Sequence, residues 1–490
     1  MTLVSPKTNP FAFLLLPALF MLAVVFSSPS MAQADDGRLM AMVQDLQAQM
    51  SKMQGTINDQ NNKIRQLERQ PSVSVAPSNG EAAAPMSDYE FNTRLDAATG
   101  GAQKWLKDLS FKGDFRLRYE AFDFRTGAVA NDDSRNRFRY RLRYGFEKKF
   151  NEDMKIGFAM ASGESSAGVQ TDPTSTNTTF DKLFNFKDIF IEKAFATYTP
   201  SWAKVGPVEK LTFTGGKMDN PFEKGSSDMI WDRDVKPEGA IEKIDLNLID
   251  GEQLDMKGYF TAGQFVLDED SATGGADASL FAYQIGMNPI MYTSFLERPV
   301  EWLSAVSFYN YRNYTRNSNF LIDNATLLSG ASATNQRGNF NSTGLTTELD
   351  AARFRVLDFY NEFTLTPKGI PVRPFFDWAH NVADADLIEG EKDAWALGLK
   401  VGGIVKKGDW EVGYTYKRIP TGSVVGAFND SDFGLGHSAK VGSVFKAGYA
   451  LTDNITLNSA AFFVENLNTG NPVFIDEQQR RFQVDLNWKF

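Results

Sequence analysis

The final stretch of the chain, Arg480 to Phe490, reads R-R-F-Q-V-D-L-N-W-K-F and constrains the fold more than any other. Successive side chains of a strand point to opposite faces, so Phe482, Val484, Leu486, Trp488 and Phe490 share one face while Gln483, Asp485, Asn487 and Lys489 share the other. One face needs apolar surroundings and the other needs water. Left as an open edge, such a strand would template aggregation, so it must be covered or closed into a barrel whose outer face lies in lipid.

Composition separates these outcomes. The 490 residues suffice for two or three soluble domains or for one large barrel with accessories. Mean hydropathy is −0.32, and beyond Phe26 no apolar run is long enough for a transmembrane helix, yet Phe, Tyr and Trp make up 13% of the chain. A membrane barrel reconciles the two, because half of each strand faces a wet lumen while aromatic girdles ring the outside. With no cysteine, disulfides, thiolate metal sites and cysteine nucleophiles are excluded. A formal net charge of −10 argues against nucleic acid as a partner.

Residues 1–34 carry a lone Lys7, an apolar run from Phe11 to Phe26 and small residues at Ser30, Ala32 and Ala34. This reads as a cleaved secretory signal, with cleavage after Ala32 and after Ala34 equally compatible. Residues 35–69 read as a coiled-coil helix. Val43, Met50, Ile57 and Ile64 occupy the a positions, Leu39, Leu46, Met53 and Leu67 the d positions, and Gln60 is a polar d. Residues 70–104, rich in Pro, Ser, Ala and Gly, read as a flexible linker. The barrel domain then occupies 105–490, and the helix is expected to stand in the periplasm, within reach of peptidoglycan.

Alternation gives about sixteen candidate strands, from 109–120 and 136–149 to 454–464 and 479–490. Most suit a tilted membrane strand better than a short soluble one. The fold class is therefore all-β, a transmembrane antiparallel barrel. Short connections such as Asn151–Asp153, Lys407–Asp409 and Thr452–Asn454 alternate with long ones at about 164–186, 219–239, 312–353 and 420–435, as periplasmic turns alternate with external loops in outer-membrane barrels.

In the second strand Arg137, Arg139, Arg141 and Arg143 alternate with large apolar residues, and Arg116 and Arg118 do the same in the first. An arginine facing lipid at the midplane costs about 2–4 kcal/mol, so all six are expected to face the lumen as a positive ladder, with Asp114, Glu120 and Glu147 among its counter-ions. The third external loop carries Asp219, Glu223, Asp228, Asp232 and Asp234. Folded inward, it would set a transverse field across the pore and narrow it. Folded outward, it would be a surface loop, and the arginines would only solvate the wall or hold a loop. If the ladder lines the constriction, reversing Arg139 and Arg141 shifts selectivity toward cations. Catalysis finds little support: only His380 and His437 are available, and Ser438 beside His437 on a strand points the other way. No cofactor or metal is expected; Asp268-Glu269-Asp270 reads as a solvated acidic triplet rather than a calcium loop.

The runs N-R-F-R-Y-R-L-R-Y-G-F from Asn136, G-K-M-D-N-P-F from Gly216 and I-W-D-R-D-V-K-P-E-G-A from Ile230 resemble the putative-porin family of Gram-negative outer membranes. That resemblance implies a channel for small hydrophilic solutes in the cell outer membrane, a homotrimer, and a terminal strand (Phe482, Val484, Leu486, Trp488, Phe490) read by barrel-assembly machinery. The coiled coil ahead of the barrel also resembles phosphate-selective porins, whose lumenal clusters are lysine-rich where this ladder is arginine. Two further readings stay open: an anion-selective, phosphate-type pore, and a tether to peptidoglycan with the barrel as anchor.

Overall fold

The computed structural model describes residues 108–125, 133–166, 169–170, 173–269, 277–292, 297–314, 354–383, 392–434, 436, 438–467 and 478–490. The signal, heptad helix and linker expected on 1–104 lie outside them, as do His437 and Asp270.

Period-two patterning produces sixteen long strands: β1 (Leu109–Arg125), β2 (Asp133–Lys149), β3 (Met154–Gly163), β4 (Asp188–Tyr198), β5 (Val208–Lys217), β6 (Glu238–Asp250), β7 (Leu254–Asp268) and β8 (Ala278–Met291). The second half continues with β9 (Val300–Arg312), β10 (Phe354–Thr364), β11 (Val372–Asn381), β12 (Asp393–Gly402), β13 (Trp410–Ile419), β14 (Lys440–Ala450), β15 (Ile455–Asn466) and β16 (Gln478–Lys489). Each pairs antiparallel with its sequence neighbours, and β1 pairs with β16 from Asp114↔Lys489 to Arg125↔Gln478. The barrel is closed, which removes the edge that the terminal strand would otherwise expose. A two-residue piece, Thr178–Thr179, joins the wall beside Arg139 and Tyr140 of β2.

The two faces separate as alternation requires. In β8, Tyr283 and Ile285 are exposed on the outside while Gln284 is 1% exposed inside. In β2, Phe138 and Tyr144 face outward and Arg139 is buried. Outer aromatics pack across strands, as Phe115 does on Trp488 with ring centroids 5.5 Å apart. The short connections are built by their own side chains. Asn151 Oδ1 accepts N–H bonds from Asp153 and Met154, Asp409 Oδ2 accepts from Val405 and Lys406, and Thr452 Oγ1 accepts from Asn454 and Ile455. These are the turn and Asx devices their residues favour.

Two long connections fold into the barrel, the 218–237 loop between β5 and β6 and the 420–439 loop between β13 and β14. The first reaches Arg143 on β2, Gln284 on β8, Asp377 on β11 and Lys417 on β13. A segment touching strands so far apart around a closed barrel lies within it. Inside, Phe222, Met229, Ile230 and Trp231 pack with Tyr309, Phe354, Phe433 and Phe462 into an apolar core. An interior with its own hydrophobic core was not expected of a wet lumen.

Candidate functional site

The arginines of β1 and β2 meet the acids of the inward loops and of neighbouring strands. All six guanidiniums of the ladder are ion-paired, together with Arg481 of β16. Arg118 is the hub. Its Nε and Nη2 clasp the two carboxylate oxygens of Asp485 at 2.7 and 2.8 Å, and Nη1 donates to Asp432 at 3.0 Å and Glu120 at 3.3 Å. Such bidentate, charge-assisted contacts are the strong ones. Glu120, fully buried, also takes Arg137 Nε at 2.5 Å and has Arg139 Nη1 within 3.9 Å. Arg141 donates to Asp114, and Arg143 bridges Glu192 at 2.9 Å and Asp234 at 2.7 Å. Arg116 donates to Asn177 Oδ1 and lies 3.8 Å from Asp485. Glu147, expected among the counter-ions, pairs instead with Lys112 and Lys155, because it lies nearer the turn end of β2.

The acidic residues expected of the third loop divide among several partners. Asp234 alone of the five faces the ladder. Asp228 turns to the opposite wall, where Lys417 Nζ, 1% exposed in its side chain, holds it at 2.7 Å and holds Asp430 of the other loop at 3.0 Å, 4.8 Å above the Phe433 ring. Asp232 knits the loops together by accepting the N–H of Ser431 at 2.8 Å. The clasp is completed by Asp232 N–H to Phe428 O, Asp430 N–H to Asp228 O, and Trp231 against Phe428 with centroids 5.3 Å apart. Asp219 meets Lys193 and Lys236 toward the exposed end, and Glu223 meets Arg233 at the loop surface. Neither touches the ladder.

At its tip the 218–237 loop sits on β8 and β11. Gln284 Nε2 donates to the carbonyls of Phe222 and Gly225, and Ser227 N–H donates to Asp377 Oδ2 at 2.8 Å. The partners that sequence reasoning did not find are Asp432, Asp430, Lys417, Glu192, Asp485 and Arg481. Four large apolar residues in a nominally external loop, Val424, Val425, Phe428 and Phe433, were the available signal.

Two cavities flank this arrangement. One of about 940 Å³ is lined by Glu192, Asp234, Trp231, Lys217 and Glu238, and one of about 410 Å³ by Asp114, Arg143, Lys193, Asp219 and Phe490. They share Glu192 and Lys236, and Arg143 spans the junction from Glu192 to Asp234.

Burial alone would raise the loop carboxyls. Lys417 and Lys446 beside Asp228, Arg143 and Arg141 beside Asp234, and Arg118 and Arg481 beside Asp432 instead hold all three well below the usual carboxylate range. Asp232 goes the other way, pushed up by burial and by Asp234 and Asp430. A depressed carboxyl contributes stability that is present above its unfolded value, about 4, and is lost as pH falls through its folded one. Asp232 acts in the opposite sense, disfavouring the clasp as pH rises, but it is one group against three. Acidification below about pH 4 is therefore expected to loosen both loops and raise the noise and mean of the open-state current. Identical recordings at pH 7 and pH 3 would show that the carboxyls do not hold the loops.

A family profile described as a putative porin matches residues 125–349 and 375–490. Comparison with curated protein sequences gives no match. Among solved structures the chain is similar to OprB of Pseudomonas putida at high pH, with 12% identity, 81% of this chain and 97% of that one covered, and a TM-score of 0.44. It is also similar to a loop-L8 deletion mutant of Vibrio cholerae OmpT, with 10% identity, 78% and 99% coverage and a TM-score of 0.41. Salmonella typhi OmpF, in complex with daunomycin, gives 10% identity, 78% and 97% coverage and a TM-score of 0.41.

Proposed function

The chain belongs to the putative-porin family, and on that premise we propose that it forms a water-filled channel through the cell outer membrane for passive diffusion of small hydrophilic solutes and ions. The observation that carries this reading is the pair of cavities meeting at the charged residues Arg143, Glu192 and Asp234 of a closed sixteen-stranded barrel. Small barrels fill with side chains, whereas sixteen strands leave room for an aqueous path. The 218–237 loop, packed across that interior, acts as the constriction, and the arginine ladder with its acids sets the local field. Single-channel recording of the refolded chain in a planar bilayer tests this: discrete open steps are expected, and a silent bilayer would sink it.

The oligomer we propose is a homotrimer. β4 pairs with β5 only from Ala194 to Tyr198, so among the described residues the 189–193 edge has a strand on one side alone. Lipid offers no hydrogen bonds to such an edge. Beside it Leu183, Phe184 and Phe186 stand wholly exposed on the connection into β4, with Ile189 and Ile191 exposed in line. Contact with another copy would cover both features. Replacing Leu183, Phe184 and Phe186 by serine is expected to leave a folded barrel that migrates as a monomer and conducts in single rather than triple steps. Trimers of unchanged heat stability would place the interface elsewhere.

A further inference from the structure

We propose that Asp358 of β10 and Asp377 of β11 form a binding site for one divalent cation, calcium, under the tip of the 218–237 loop.

The carboxyl pair is the first observation. Both side chains are fully buried, they lie within hydrogen-bond reach of each other, and among the described residues neither is paired with a basic group. Ser227 N–H donates to Asp377 Oδ2 at 2.8 Å, but no hydrogen bond of ordinary geometry reaches Asp377 Oδ1 or either oxygen of Asp358. Desolvated carboxylates need a positive partner. A single proton shared by the pair would serve one oxygen on each and leave another of these three bare. A divalent ion matches the charge of the pair and takes all three.

The second observation lies on the neighbouring strands. Register sets Thr261, Gln284, Ser307 and Asp358 directly opposite one another across β7, β8, β9 and β10. Thr261 Oγ1 and Gln284 Oε1 are buried acceptors that also lack a partner. Gln284 Nε2 donates to Ser307 Oγ at 3.0 Å, so the amide reaches along this row toward the carboxyls. Among the described residues no third acid or histidine joins the pair, and the rest of the shell is neutral amide and hydroxyl oxygen. An oxygen-only set of irregular geometry suits calcium better than magnesium, which demands a near-ideal octahedron, or the transition metals, which favour nitrogen and sulfur.

Such an ion would fasten the loop. Asp377 holds Ser227, and Gln284 holds the carbonyls of Phe222 and Gly225, so both sides of the tip hang from the proposed shell.

The experiment is equilibrium dialysis of the refolded full chain against calcium at neutral pH, with excess magnesium present, beside the double variant Asp358→Asn with Asp377→Asn. The variant keeps the side-chain volumes and removes the buried charge. The wild type is expected to hold one more calcium ion per chain than the variant, and chelation is expected to lower the heat stability of the wild type alone. Should the double variant fail to fold, the single variant Asp358→Asn is expected to bind calcium about tenfold more weakly, or less tightly still. Equal uptake by folded wild type and variant places any bound ion on other acids and overturns the inference. No uptake by the wild type leaves the pair with a shared proton and overturns it as well. Conductance is not the readout, so neither result bears on the channel reading.

Discussion

Replacing Lys417 by methionine is expected to enlarge the open-state conductance and make it fluctuate, because this one ammonium holds both inward loops to the wall. Its side chain is almost wholly buried, it bridges Asp228 of one loop and Asp430 of the other, and it lies over the Phe433 ring. Methionine keeps much of the volume and removes the charge. Two carboxylates would then face each other across a desolvated gap, and breaking a buried pair by deleting one partner costs about 3–5 kcal/mol. The barrel itself, closed by sixteen strand pairs, should survive, so the strain is expected to appear as loop release rather than unfolding. Adding Asp228→Asn and Asp430→Asn to the same chain should return the conductance toward wild type, since the stranded charges are gone. If the single variant conducts as wild type does, the loops are held by their apolar core and not by this cation.

Replacing Gly113 by valine, or removing Phe490, is expected to cut the yield of folded barrel by about tenfold or more. Gly113 N–H donates to the Phe490 carbonyl at 2.9 Å, and Phe490 N–H donates to the Gly113 carbonyl at 3.0 Å. A Cβ on Gly113 would sit 2.4 Å from the Phe490 ring and 2.6 Å from the Arg143 carbonyl, one of them backbone that cannot step aside. Either change therefore strikes the last hydrogen-bonded rung of the β1–β16 closure, and an unclosed barrel leaves unpaired edges that lipid cannot satisfy. Gel mobility with and without heating measures the folded fraction. A normal folded fraction in the Phe490 deletion would show that closure does not depend on the terminal residue.

The strands were legible because their signal is local. Residues two apart share a face, and a tilted membrane strand repeats that pattern long enough to be counted, so candidates at 109–120, 136–149 and 479–490 correspond to β1, β2 and β16. The inward orientation of Arg139 and Arg141 follows from the same rule, with lipid as the alternative. What was not legible was who meets whom. Arg118 and Asp432 are 314 residues apart, and nothing in the run Asn429-Asp430-Ser431-Asp432 marks it as the counter-charge of the first strand. Reversing Arg139 and Arg141 consequently reads differently now: the new acids would face Glu120, Asp114 and Asp234 and would push the 218–237 loop away before they altered selectivity. The long connection at about 420–435 carries its inward signal in a few scattered apolar residues, Val424, Val425 and Phe433, which pack into the interior core but show no periodicity in the sequence.

The cluster around Arg118 also bears on the order of events in assembly. It joins the first strand to Asp485, 367 residues later in the chain, and to a loop that enters only after β13 is complete. Contacts of such long sequence separation are paid for in loop-closure entropy before they return anything, and they form late. Until the final strand arrives, Arg137, Arg139, Arg141 and Arg143 have their partners on earlier elements, whereas Arg116 and Arg118 still lack Asp485. The last strand therefore seals the wall and, through Asp485, supplies the charge that Arg116 and Arg118 wait for, so closure of the sheet and completion of this cluster coincide.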